Sequence, residues 1–592
     1  MKHALIGNCS YQALIDDRGA VSWLCWPRFD SSFVFGSLLD STRGGEFSVT
    51  PRESEFQTEQ GYLPNTNILR TVFSSESGRF ELIDFAPRYK QYERSFKPNM
   101  LVRRLRPLDG RPSVKVACRP VYDYGEKELE SYVASNHVQW QVDGGPLRLT
   151  TNVPLTYLLE ERPFLLTHEA YVVLTWGNPL EAALEETCET FLSRTRKYWE
   201  TWVKHTNLPG IFQREVIRSA LALKLHQYED TGAITAATTT SIPEHSGSGR
   251  NWDYRYCWLR DTYFTLHAMR RLGHFEEMER FVSFAQNIAE GTAALQPVYG
   301  ISGESRLSER TLDHLAGYKD DNRPVRVGNA AYLQVQNDVY GEIIAAIAPQ
   351  FLDLRFDNQG NHEHSAALVS RLLGYIEHTM ELPDAGIWEY RAEPEVHTFP
   401  LLFHWIGASL CARIGKAIAD PALEGRALGL VARARSIIEE QCYRPDLGFY
   451  AESTSAQNHN ADASLFMMVN MGYLMRGDPR AERHVRELHK KLSVDRYLMK
   501  RYNHFDGIGE TLGTFTVCGF WAAEALARLG YREEAIEACE QLIKHANHVG
   551  LFSEDIDPKS GEQWGNFPQT YSHVGLINAA FAIRQSALDL LA

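Results

Sequence analysis

The chain has 592 residues, 44% hydrophobic and 11% aromatic, which is too long for one ordinary domain and rich enough for two large cores. A formal net charge of −14 argues against nucleic acid or an anionic membrane surface as a partner. No apolar run approaches the roughly 18 residues of a spanning helix, and Asn8, Ser10 and Gln12 interrupt the apolar start, so neither a membrane span nor a secretory leader is expected.

In chain order, the first part reads as short strands rich in Val, Leu, Thr and aromatics, separated by Gly, Pro, Asp and Asn: Asn67–Phe73, Arg79–Phe85, Met100–Arg106, Ser113–Pro120, His137–Val142, Leu147–Thr151 and Ala170–Thr175. This predicts an antiparallel β-sandwich over residues 1–178. A change to helical periodicity follows, giving a linker helix within 179–210. From 211 to 592 the pattern is helical throughout, with twelve candidate helices near 211–228, 258–272, 275–290, 332–348, 363–381, 399–418, 422–440, 461–474, 478–492, 514–529, 532–546 and 571–590. Connections after the odd helices are long (229–257, 291–331, 382–398, 441–460, 493–513, 547–570). Those after the even helices are mostly short, the exception being 349–362. Six antiparallel hairpins of this kind suggest an (α/α)6 barrel with all the long loops on one rim.

Three of those loops carry chemistry. Gly386-Ile387-Trp388-Glu389-Tyr390 sets an indole beside a carboxyl, the apolar surrounding a general acid needs. In Leu551-Phe552-Ser553-Glu554-Asp555-Ile556-Asp557 three carboxylates crowd together, so local sequence leaves open which one acts, with Glu562 a fourth contender. The stretch Asn251-Trp252-Asp253-Tyr254-Arg255-Tyr256-Cys257-Trp258-Leu259-Arg260-Asp261 sets aromatic faces beside Arg260 and Asp261, a fork and an acceptor pair suited to sugar hydroxyls. Arg326 sits in a polar loop segment of the same rim. Two carboxylates with an aromatic and charged wall are what cleaving a glycosidic bond requires. The nine cysteines are scattered and read as free thiols in a reducing cytosol, so a cytoplasmic location is expected. His362-Glu363-His364 reads as a solvated helix start, no Cys/His spacing fits zinc and no phosphate loop occurs, so no metal or cofactor is expected.

On these motifs the chain resembles glycoside hydrolase family 15, the inverting family of glucoamylases and some microbial trehalases. The tail Gly565-Asn566-Phe567-Pro568-Gln569-Thr570-Tyr571-Ser572-His573 is similar to bacterial members. Gly7-Asn8-Cys9-Ser10 and Trp23-Leu24-Cys25-Trp26-Pro27-Arg28-Phe29-Asp30-Ser31 resemble the N-terminal domain of the trehalase-like branch. The resemblance implies Glu389 as general acid and Glu554 as general base, with Trp258, Arg260 and Asp261 gripping the terminal glucose. Trp252, Trp388, Tyr390 and Arg326 complete the expected substrate-binding set. Tyr390 and the Glu554-Asp555 pair depart from the family pattern and bear on the aglycone side, hence on linkage.

The reading is an inverting, exo-acting α-glucosidase that releases β-glucose from trehalose or short α-glucans, its partner a small carbohydrate; a homo-oligomer is compatible with it. A loop around Trp26–Phe33 would reach the barrel rim and shorten the site. Two rival classes are an inverting α-glucoside phosphorylase, in which phosphate replaces Glu554, and a non-catalytic carbohydrate-binding protein.

Overall fold

The computed structural model describes residues 1–127, 129–292, 294–356, 362–391, 393–507 and 511–589. Residue 590 of the last expected helix, and parts of the connections 291–331, 349–362, 382–398 and 493–513, lie outside the described residues.

Residues 3–176 form three main antiparallel sheets. His3–Gly7, Gln12–Asp16, Val21–Cys25 and Phe33–Phe35 pair in sequence order. An eight-stranded sheet has the spatial order Ser131–Val133, His137–Val142, Gly145–Thr151, Ala170–Trp176, Met100–Gly110, Gly78–Phe85, Leu69–Ser75 and Gln57–Tyr62. Ser113–Arg119 lies between Phe164–Leu165 and Glu46–Pro51 in the third. Alternation decides which side chains face in: Val114 and Val116 are buried while Ser113 and Lys115 are partly exposed. Trp23, Phe47, Leu82, Leu105, Val116 and Val172 meet in one core. Gln57–Tyr62 buries no residue fully, as suits an edge strand. This polar strand and the strands before it are not among those picked out by composition.

Helix α1 (Leu184–Lys204) faces both halves. Trp199 is buried in the β core, and the Trp202 ring stacks on His274 at 3.8 Å while its indole N–H donates to Glu277.

The remaining chain forms α2 (Gln213–His226), α3 (Leu259–Leu272), α4 (Phe275–Gly291), α5 (Val339–Ile347), α6 (His362–Thr379), α7 (Thr398–Ala417), α8 (Pro421–Ile437), α9 (Met467–Asn470), α10 (Pro479–Leu492), α11 (Thr516–Leu529), α12 (Arg532–Ile543) and α13 (Thr570–Asp589). Helices α3, α5, α7, α9 with the 3₁₀ turn Ala463–Phe466 before it, α11 and α13 each pack on the next, and α13 packs back on α3. The other six lie against one or two of these. Residue chemistry separates the two sets. In α11 every residue except Arg528 is buried, whereas α10 buries only Ala481, His484, Val485, Leu488 and Leu492, one stripe at helical spacing. Gly273 and Gly530, both with left-handed φ, end α3 and α11, and Asp420-Pro421 and Asp478-Pro479 start α8 and α10 with a carboxylate cap.

Two helices differ from expectation. The one expected from 332 begins only at Val339, because Gln334 adopts an extended backbone after the turn Ala330–Leu333. The one expected over 461–474 is reduced to the turn and α9, bounded by the Asp462 cap and by Gly472 with φ +79°. Among the described residues no helix is long and apolar enough to cross a membrane.

Candidate active site

A cavity of ≈ 310 Å³ opens at the end of the helical half where α3, α11 and α13 begin, within the size range of small-ligand sites. Five of the six long connections line it, through Glu244, Arg250, Trp252 and Tyr254; Asn329; Glu389 and Arg391; Arg501 and Asp506; and Gln569. The connection 441–460 supplies no lining residue, and among the described residues none before Ala236 does. The loop Trp26–Phe33 meets two of the rim connections, through Arg28 to Glu304 and Arg255 to the Ser31 carbonyl, without lining the cavity. Trp26 and Phe33 are drawn into the β core, Phe29 packs on Tyr228 at 5.4 Å, and Arg28 bonds Asp30 and Glu304.

Glu389 is presented by a tight turn. The Asp384 carboxylate accepts from the Gly386 N–H (3.1 Å) and from His397 Nδ1 (2.9 Å), and the Glu389 N–H donates to the Gly386 carbonyl. Glu389 itself sits at φ +60°, a left-handed conformation that costs a non-glycine residue about 1–3 kcal/mol. Its Oε1 accepts from the Trp258 indole N–H at 2.7 Å and from Gln336 Nε2 at 3.3 Å, with an Arg260 nitrogen 3.6 Å away. With its side chain 26% exposed, it faces the cavity. The indole at this carboxyl is thus Trp258, reached across the fold, and not its sequence neighbour Trp388. Trp388 lines the wall and packs among Tyr502, Phe515 and Trp521 at 6.1–6.2 Å.

Glu554 is 1% exposed at the far side of the same residues. Its oxygens accept from the Tyr254 hydroxyl (2.9 Å), Arg501 (3.1 Å) and the Asn566 N–H (3.2 Å). Burial pushes its carboxyl up to about 7, Arg501 pulling it down and Glu244 pushing it up. Arg501 also bonds Asp555 (2.7 Å) and Glu244 (3.0 Å), and burial holds Asp555 well above the usual carboxylate range. Of the crowded acids, Glu554 is the one that Tyr254 ties to the cavity wall. Tyr254 packs edge-on to Trp258 at 5.4 Å, so one aromatic pair bridges the surroundings of Glu389 and Glu554. Glu562, by contrast, bonds Lys319 at the surface.

On the gripping side, Trp252, Trp258, Arg260 and Asp261 all line the cavity. Arg260 donates to Gln336 at 2.5 Å and lies 3.9 Å from Asp261, whose carboxyl burial pushes up to about 7. Three expected site residues are not lining residues: Glu554, which reaches the wall through Tyr254 and Arg501, and two expected substrate contacts. Tyr390 turns its hydroxyl to Glu452 (3.3 Å) and packs on Tyr502, because the left-handed Glu389 reverses the chain direction there. Arg326 lies behind the wall: its guanidinium sits 4.7 Å from the Trp252 ring and donates to the Gly249 and Asn251 carbonyls. Arg391, which does line the cavity, lies 4.6 Å from the same ring. Tyr254, Gln336, Arg391, Arg501 and Tyr571 are among the members that sequence reasoning missed. An arginine or glutamine in a long polar loop reads as surface, and only its position on a loop-bearing rim signals otherwise. Among the described residues no cluster of His, Cys, Asp or Glu is arranged to hold a metal ion.

The sequence profile of glycosyl hydrolases family 15 matches residues 210–544 and 531–581, and the trehalase-like N-terminal profile matches residues 1–170. A trehalase of Mycobacterium tuberculosis is 33% identical, the match covering 98% of this chain and 88% of that protein. A trehalase of Thermoplasma volcanium is 29% identical over 99% of this chain and 94% of its own. Among solved structures, a bacterial glucoamylase complexed with acarbose superposes with a TM-score of 0.74 at 16% identity, covering 99% of this chain and 94% of that one. At that identity the likeness concerns the fold.

Proposed function

The chain belongs to glycosyl hydrolase family 15 and is a glycoside hydrolase, and from that premise we propose that it hydrolyses α,α-trehalose with inversion at the attacked anomeric carbon. The observation that carries the reading is the pair Glu389 and Glu554, brought to one aromatic bridge in opposite surroundings. Glu389 is open to the cavity and Glu554 is buried and tied to Tyr254 and Arg501. In this reading Glu389 donates a proton to the glycosidic oxygen as the C1–O bond breaks. Water forms the new C1–O bond from the opposite face and gives its proton to Glu554. Among the described residues, the donors around Glu389 converge on Oε1, which leaves Oε2 to carry the proton. Asp261 and Arg260 hold the hydroxyls of the glucose being attacked, with no metal or cofactor in the scheme. The carboxyl separation expected for inversion is roughly 6.5–9.5 Å.

Trehalose is preferred over longer α-glucans because full-length relatives are trehalases and the cavity, at ≈ 310 Å³, suits a disaccharide. The uninterrupted succession of helix contacts from α3 round to α13 supports an (α/α)6 barrel for the helical half, with the β-rich half as a β-sandwich over 1–178. Nine free cysteines support a reducing, cytoplasmic setting. The phosphorylase alternative needs a free cation near Glu554, but Arg501 is already shared by Glu244, Glu554 and Asp555.

Proton NMR of the purified protein with trehalose, maltose, isomaltose and maltotetraose, without phosphate, tests the reading. Inversion on trehalose yields one β- and one α-glucose per molecule before mutarotation. Two α anomers would overturn the mechanism, and glucose 1-phosphate formed only with added phosphate would make it a phosphorylase.

A further inference from the structure

Below the floor of the cavity lies a pair of acids that the chemistry above does not use. Asp338 stands at the N-terminus of α5 and Glu342 four residues on, so their side chains share one helix face. Both are at 0% exposure. None of their four carboxyl oxygens accepts a hydrogen bond from an N–H or O–H of any other residue among the described residues. One helical turn apart on that face, the two carboxyls are near enough for each to feel the other's charge. Two ionised groups there would be both desolvated and mutually repelled, a cost that one retained proton removes. Burial raises both carboxyls above their usual range, Glu342 well above it. The groups facing the pair are Arg260, Asp261 and Tyr263 of α3, Asp384 of the loop after α6, and Tyr571 of α13. Of these Arg260 carries the positive charge. One of its terminal nitrogens is 3.6 Å from Asp338 and the other 3.6 Å from Glu389.

We propose that Glu342 carries a proton which it donates to the Asp338 carboxylate, and that Asp338, so held, anchors Arg260 beneath Glu389. Both acids are positioning residues. Without Asp338 the guanidinium has Glu389 as its nearest remaining carboxylate and pairs with it, which disfavours the protonated form that donates to the glycosidic oxygen. This second part rests on the reading of Glu389 as proton donor; the location of the proton does not.

The first measurement is the infrared difference spectrum of wild type minus Glu342→Gln at neutral pH. Loss of a protonated-carboxyl C=O band in the variant is expected. Loss of carboxylate bands alone overturns the shared proton. The second is the pH profile of kcat/KM on trehalose. Asp338→Asn is expected to move the alkaline limb to lower pH by roughly one unit, lowering kcat more than it changes KM. Glu342→Gln, whose amide donates to Asp338 in the proton's place, keeps the limb where wild type has it, whereas Glu342→Leu moves it. An unmoved limb in Asp338→Asn overturns the anchoring role. If that variant does not fold, the infrared spectrum and the contrast between the two Glu342 variants still decide. A wild type inactive on every α-glucoside would sink the functional reading while leaving the infrared result to stand or fall alone.

Discussion

Tyr254 touches both ends of the proposed chemistry: its hydroxyl donates to Glu554, and its ring packs on the tryptophan that bonds Glu389. A general base must be ionised, and burial places the Glu554 carboxyl at about 7, so kcat/KM falls as pH drops below that value. Tyr254→Phe removes a donor that favours the ionised form, and the acid limb therefore moves to higher pH, by about one unit; a limb unchanged in pH–rate profiles would dismiss Glu554 as the group that sets it. Glu389→Gln and Glu554→Gln should each lower kcat by about 10²–10⁴-fold with melting temperatures near wild type, since Glu389 is open to the cavity and Arg501 keeps Glu244 and Asp555 as partners. The loops of both glutamates stood out in the sequence as aromatic-acidic motifs on a rim marked by loop lengths, whereas the choice of Glu554 among its acidic neighbours came from the family resemblance. Tyr254 stood inside a quoted motif without being singled out, since its partner is 300 residues away. Arg501 was illegible for the same reason: its value comes from three carboxylates on two other segments.

At the level of elements, the site depends on how a few turns point. Gly565, at φ +73°, passes so close to the base that an added Cβ would stand 2.6 Å from Glu554 Cβ and 2.7 Å from its Oε2. Gly565→Ala should therefore destabilise the protein by about 1–3 kcal/mol and lower kcat more than it changes KM. Thermal unfolding and steady-state kinetics read the two effects, and an alanine variant with wild-type kcat would show that the turn does not place Glu554. Helix periodicity revealed all twelve helical positions because most of them bury long apolar stripes. It failed over 334–338, where Gln334, Gln336 and Asp338 give up helical continuation to reach Glu389 and Arg260. A segment that serves a site follows its polar contacts, and no apolar pattern reports those. Gln57–Tyr62 was not singled out for a related reason: it is polar, and only its pairing to Leu69–Ser75 makes it a strand.

Across the whole molecule the two halves share buried surface rather than a linker alone. Leu221, Ala222 and Leu225 of α2, together with Leu551 and Phe567 beside the site, belong to the same apolar cluster as the β sheets. The Trp23 indole donates to the Thr238 carbonyl, and Arg255, next to the gripping residues, donates to the Ser31 carbonyl and to Tyr124. Across this boundary Arg88 and Glu229 pair at 2.6 Å with side chains 1% and 2% exposed. The enzyme should consequently unfold in one calorimetric transition. Burial alone would push the Glu229 carboxyl up, but Arg88 brings it down to about 2, below its ordinary 4.5. A carboxyl held lower in the folded state binds fewer protons there than in the unfolded chain. Its contribution is therefore complete above about pH 4.5 and is lost as pH falls towards 2. Glu229→Gln leaves Arg88 buried without its counter-charge and should cost about 3–5 kcal/mol, while removing this share of the acid sensitivity. Calorimetry of both proteins from neutral pH down to pH 3 tests the argument: two separate transitions in wild type, or the same loss of melting temperature on acidification in the variant, would show that this pair does not couple the halves.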